Sequence, residues 1–158
     1  MAKKKVPLGS FDAVKERTLR LLAFRAHSEY ELRDKLTHDG ASEEHIDAVI
    51  EFLYEYKLID DRIYAERLAA DLSNIKKYGR YRIIAELSRK GISREIISEV
   101  TDAKETDEEE QLLPLMERKL GGDFDQKSRD RAFRYFAARG YSFDDIKAAY
   151  NKLKDESL

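Results

Sequence analysis

Four arginines in this 158-residue chain occupy positions that disfavour a cation unless an anion is near. Arg80 and Arg82, and again Arg129 and Arg131, stand eleven and nine residues before a glycine. The apolar spacing predicts that both pairs lie in the first turn of a helix. Free N–H groups give a helix N-terminus a partial positive charge, so cations there are unfavourable by roughly 0.3–1 kcal/mol each. The same N–H groups beside guanidinium forks form an anion site, suited to phosphate or to a partner face lined with carboxylates. Lys76 and Lys77 add charge to the first pair. The alternative is that the arginines are solvated or pair with acids close in sequence, such as Glu86 and Asp130.

Arg89 and Lys90 fall at a predicted helix C-terminus, where cations are favourable in any case. Lys90 and Arg139 hold equivalent positions, each just before a glycine, and Arg94 opens the helix after Gly91. Tyr78 and Tyr81, flanked by Lys77, Arg80 and Arg82, are the two tyrosines expected to face a partner; the others are expected mainly in cores. Catalytic chemistry finds little footing. His27, His38 and His45 lie eleven and seven residues apart, unlike a helical metal pair, and are expected as capping or surface residues. Glu43 with Glu44, and Asp60 with Asp61, sit at helix starts, where capping accounts for them. No nucleophile has a base beside it, and no glycine-rich loop follows a strand. No catalytic residue, cofactor or metal site is expected.

The elements that position these residues follow from a repeat. A large apolar residue, Gly, Ser and Ile recur at fixed spacing as Leu36, Gly40, Ser42, Ile46; then Leu87, Gly91, Ser93, Ile97; then Phe136, Gly140, Ser142, Ile146. The glycine ends one helix in the left-handed conformation, and the serine caps the next, whose core face begins at the isoleucine. Ser28, Gly79 and Ser128 each stand twelve residues before the glycine. Apolar spacing is helical almost throughout, so the expected fold is all-α, an array of three tandem three-helix repeats. The expected organisation is a disordered basic tip over 1–11, repeats over 12–59, 60–101 and 111–158, and an acidic linker or solvated helix start over 102–110. Pro114 belongs in the first turn of its helix or kinks it.

Charge follows the repeats. The formal net charge is −2, yet residues 76–94 hold seven basic side chains against the single acid Glu86. No stretch approaches the roughly 18 apolar residues of a membrane span. With no cysteine and no signal-like start, the chain is expected to be a soluble cytoplasmic protein, and a monomer.

These residues resemble the RecX family, the regulatory proteins of the RecA recombinase. The similarity runs through Arg25, Ser28, Glu31-Leu32 and Lys35-Leu36; the junction Leu58-Ile59-Asp60-Asp61-Arg62-Ile63-Tyr64-Ala65; and Lys76-Lys77-Tyr78-Gly79 followed by Ile83 or Ile84, Glu86-Leu87 and Lys90-Gly91-Ile92. Arg139-Gly140-Tyr141 with Ile146 resembles the family's closing unit, and the match spans about residues 12–154. Ile59, Tyr64 and Tyr141 depart conservatively from its pattern. The resemblance implies that the three tandem three-helix repeats form an elongated, curved array and that the protein is a non-enzymatic regulator of homologous recombination and DNA repair. It implies binding in the groove of the RecA–single-stranded DNA filament, where the protein modulates, mainly inhibits, ATP hydrolysis and strand exchange. Binding to bare single-stranded DNA is expected to be weak and independent of sequence. Two rival readings remain. One is a helix-turn-helix DNA-binding regulator whose recognition helix starts at Ser93; the other is a helical-repeat scaffold for another protein.

Overall fold

The computed structural model describes residues 7–102 and 108–158. Among these, nine α-helices and no strand are found: α1 (Phe11–Phe24), α2 (Glu29–His38), α3 (Glu43–Glu55), α4 (Asp61–Asn74), α5 (Arg80–Arg89), α6 (Arg94–Asp102), α7 (Glu108–Leu120), α8 (Gln126–Ala138) and α9 (Phe143–Glu156). Every extensively packed helix pair falls within one of the triplets α1–α3, α4–α6 and α7–α9. Three separate apolar clusters result, one per triplet. The fold is therefore an all-helical array of three-helix units.

The repeated residues explain each unit. Leu36, Leu87 and Phe136 close the middle helices and are buried, as are Ile46, Ile97 and Ile146 at the start of the last helices. Each such side chain contributes about 1.5–3 kcal/mol of burial. Between them the chain turns at Gly40, Gly91 and Gly140, with φ of +92°, +74° and +97°. Ser42 and Ser142 accept the N–H of His45 and Asp145, capping α3 and α9. Ser28 and Glu31 form a reciprocal capping box on α2.

The structure corrects the expected N-terminal tip and the place of His27, and narrows the alternatives left open for the acidic stretch and for Pro114. Leu8 is buried in the first core and Phe11 opens α1, so the N-terminal tip is shorter than eleven residues; residues 1–6 lie outside the described set. Of the acidic stretch 102–110, Asp102 ends α6 and Glu108–Glu110 open α7, whereas 103–107 lie outside the described residues. Pro114 is inside α7 rather than in its first turn. His27 is 4% exposed, with Nδ1 2.9 Å from the Arg25 carbonyl oxygen and Nε2 2.9 Å from Lys35 Nζ, so it is a core residue rather than a surface one. Burial holds its pKa below the usual value.

Candidate functional site

The units meet at two junctions built on one plan. The start of a middle helix in one unit docks on the glycine turn of the next. At the second junction, Gly79 N–H donates to the Arg139 carbonyl at 2.8 Å, and Tyr81 N–H donates to the Gly140 carbonyl at 3.1 Å. The Tyr141 hydroxyl donates to the Lys77 carbonyl at 2.8 Å, and the Arg139 guanidinium to that of Lys76. At the first junction, Ser28 Oγ donates to the Lys90 carbonyl at 2.6 Å, and Tyr30 lies over Gly91.

A basic and aromatic seam crosses the second junction. The Arg82 and Arg139 guanidiniums lie 4.8 and 4.9 Å from the Tyr78 ring centre. Arg139 also reaches Tyr135 at 5.3 Å, and Lys119 Nζ sits 4.1 Å from that ring. At the other end, Glu86 binds Arg82 at 3.0 Å and lies 3.7 Å from Arg89. Arg131 is one turn before Tyr135 on the same helix face. The seam thus offers cations on two units, interleaved with tyrosines, around one carboxylate. Such a surface tracks a polyanion by charge and stacks flat groups on its rings.

The predicted residues divide into those that build the junction and those that remain at the surface. Arg80 belongs to the first group. Its side chain pairs with Asp102, and its N–H donates to Glu108 Oε1 at 2.6 Å. The anion that the α5 N-terminus requires is thus supplied by the chain itself, from the first residue of the next unit. Gly79 provides no side-chain cap there. The same device operates one unit earlier, where Glu29 N–H donates to Asp61 Oδ1 at 2.9 Å. Burial raises the pKa of both carboxyls against the N–H bonds that favour the charged form; nearby acids, Asp145 for Glu108 and Glu29 for Asp61, push the same way.

In the third unit the N-terminal assignment fails. Asp125 caps a helix that begins at Gln126, so Arg129 and Arg131 fall in its second turn. Arg129 packs 4.1 Å from the Phe133 ring centre and 3.6 Å from Asp130. Tyr78 is half-buried in the seam, while Tyr81 is 64% exposed. Lys76, Lys77, Arg89, Arg94 and Arg131 are exposed, and Arg89 alone among them comes within 4 Å of a described carboxylate. Lys90 bridges to Glu31 across the first junction at 3.6 Å. Among the described residues, no hydrogen bond or ion pair joins Arg94 to the seam.

Glu108 was not singled out from the sequence, whereas Glu31 was read there as a cap of α2 and Tyr135 as one of the tyrosines expected mainly in cores. The available signal for Glu108 was its register, four residues before buried Leu112, as Asp61 is four before buried Ala65. Among the described residues no cluster of three or more His, Asp or Glu could hold a metal ion, and no helix is long and apolar enough to cross a membrane.

Fold and seam together define a class: a tandem three-helix-repeat protein with a basic, tyrosine-bearing surface. Family models described as the first and second three-helix domains of RecX match residues 15–53 and 60–100. The chain is 34% identical over 157 residues to Regulatory protein RecX of Cronobacter sakazakii, covering 92% of this chain and 94% of that one. It is 35% identical over 138 residues to that of Pelodictyon phaeoclathratiforme, covering 85% of each. The fold matches the crystal structure of RecX from Lactobacillus salivarius with a TM-score of 0.80 at 24% identity, over 91% of this chain and 96% of that one. The chain belongs to the RecX family of regulatory proteins.

Proposed function

We propose that this protein regulates a RecA-type recombinase by lying in the groove of its filament on single-stranded DNA, restraining ATP turnover and strand exchange. The observation that carries this reading is the seam from Arg89 through Arg82, Tyr78 and Arg139 to Lys119, which spans two units and presents more cations than acids. Its exposed contributors are Lys76, Lys77, Arg89, Lys119 and Arg131, with the ring of Tyr135 among them. Arg82, Arg139 and Tyr78 hold the seam together and contact the partner only in part. The action is by binding, in the cytoplasm, by a monomer, and needs no catalytic group.

The helix-turn-helix reading gains no support from α6. Its exposed side chains include Glu95 and Glu99, and Glu99 is held by Arg62. Acids facing outward oppose entry into a groove lined by phosphates. The discriminating experiment compares binding to RecA filaments on single-stranded DNA with binding to bare single-stranded and duplex DNA. Tight binding to the filament and weak, sequence-independent binding to bare DNA are expected; a preferred duplex sequence would support the rival instead.

A further inference from the structure

The two junctions share a plan but are held by different chemistry. At the second, two backbone N–H groups meet two backbone carbonyls across the units, Gly79 to Arg139 and Tyr81 to Gly140. This close approach is possible because Gly79 has no side chain: a Cβ there would lie 2.5 Å from the Gly140 carbonyl oxygen. At the first junction Ser28 occupies the position of Gly79. No backbone-to-backbone hydrogen bond crosses that junction among the described residues. The serine hydroxyl reaches the Lys90 carbonyl instead, and the remaining bonds run through carboxylates.

Glu31 is the centre of that set. It accepts from the Tyr64 hydroxyl at 2.7 Å and lies 3.6 Å from Lys90 Nζ, both in the second unit. Within its own unit it accepts from Arg25 at 2.8 Å and from Ser28 N–H at 3.3 Å. Side-chain bonds rotate and exchange with water more readily than paired backbone groups held by helix ends.

We propose that the array hinges at its first junction and is fixed at its second, so that the second and third units move as one body against the first. The hydroxymethyl side chain of Ser28, absent at Gly79, sets the difference. Glu31 is the positioning residue that holds the hinge closed. The inference concerns the motion of the chain alone and stands independently of the partner proposed above.

The chain has no cysteine, so labels can be placed at will. Glu51→Cys with Glu95→Cys, on exposed positions of α3 and α6, spans the first junction. Glu95→Cys with Lys152→Cys, on α6 and α9, spans the second. Spin-label distance distributions measured on the full chain should be broader across the first junction. Glu31→Gln, which keeps the acceptor oxygen for the capping box and removes the charge, should broaden the first distribution further and leave the second unchanged. Gly79→Ser should broaden the second. If circular dichroism shows that Glu31→Gln is unfolded, Lys90→Gln tests the same bridge from the other side. Equal widths in the parent protein, or a first distribution that neither Glu31→Gln nor Lys90→Gln alters, would overturn the hinge.

Discussion

Gly140 and Arg82 touch so closely that a Cβ on Gly140 would lie 2.3 Å from the Arg82 backbone nitrogen. The glycine that ends one unit's middle helix is therefore also the floor on which the preceding unit's middle helix stands. Its positive φ serves the turn, and its missing side chain serves the junction.

Gly40 has φ of +92°, but a Cβ there meets nothing within 4 Å. Gly40→Ala should cost only the left-handed backbone term, about 1–2 kcal/mol. Gly140→Ala, with φ of +97°, carries that term and a clash with backbone, so its loss should exceed the other by roughly 1–3 kcal/mol. Denaturant unfolding of the two variants beside the parent measures the difference, and equal losses would refute the junction assignment.

Acid should weaken the first junction. Burial pushes the Glu31 carboxyl up, but hydrogen bonds from Arg25, Tyr64 and Ser28 N–H outweigh it and hold the pKa at about 2. A depressed carboxylate contributes stability that is fully present above its unfolded pKa, near 4.5, and is lost as pH falls through about 2. The whole contribution is on the order of 3 kcal/mol. Asp61 and Glu108 are shifted upward and act in the opposite sense, so the parent's own pH profile mixes the two. The difference in unfolding free energy between parent and Glu31→Gln isolates Glu31. It should be constant above about pH 5 and shrink steadily below it; a difference independent of pH down to 2 would contradict the assignment.

Arg80 illustrates how the tertiary structure reverses a local rule. An acid suits an isolated helix N-terminus, and Glu29 stands at the equivalent position of the first unit. In the folded chain, however, Arg80 lies against Asp102 and under the Glu108 carboxylate. Arg80→Glu should therefore lower stability, by about 1–2 kcal/mol, whereas Arg80→Gln should lose less. Thermal melting that ranks the glutamate variant as the more stable would show that these two acids are not close to position 80.

The helical array was legible because its signals are local. Ser28 with Glu31, Ser42 and Ser142 cap as their spacing predicts, and the buried apolar positions repeat in register. The seam was only half legible. Arg82 and Arg139 stand out as basic residues, but their convergence on Tyr78 depends on how one unit docks on the next. That angle is set by contacts 56–64 residues apart in sequence, such as Arg82 with Ala138 and Tyr141 with Lys77. The start of α8 was misplaced for a similar reason. Asp125 can cap as well as Ser128, and the repeat pattern alone favoured the latter.

Residues that build the seam and residues that present it should separate on mutation. Arg82→Gln removes a guanidinium from Glu86 and Tyr78 and should lower the melting temperature by a few degrees. Lys77→Gln, at an exposed side chain, should leave the melting temperature unchanged and weaken polyanion binding. The logarithmic salt dependence of that binding should fall by about 0.7 per lost phosphate contact on a single strand. An unchanged salt slope in Lys77→Gln would remove that lysine from the contact.

RecA ATP hydrolysis on single-stranded DNA reads the working surface of this protein in one assay. The parent protein is compared with the combined variant Lys76→Gln, Lys77→Gln, Arg89→Gln and Arg131→Gln, whose folding is checked by circular dichroism. Strong inhibition by the parent is expected, and inhibition at least tenfold weaker, in the concentration required, by the folded variant. Equal inhibition by both proteins would place the working surface away from the seam, and no effect of the parent on RecA would contradict the proposed function outright.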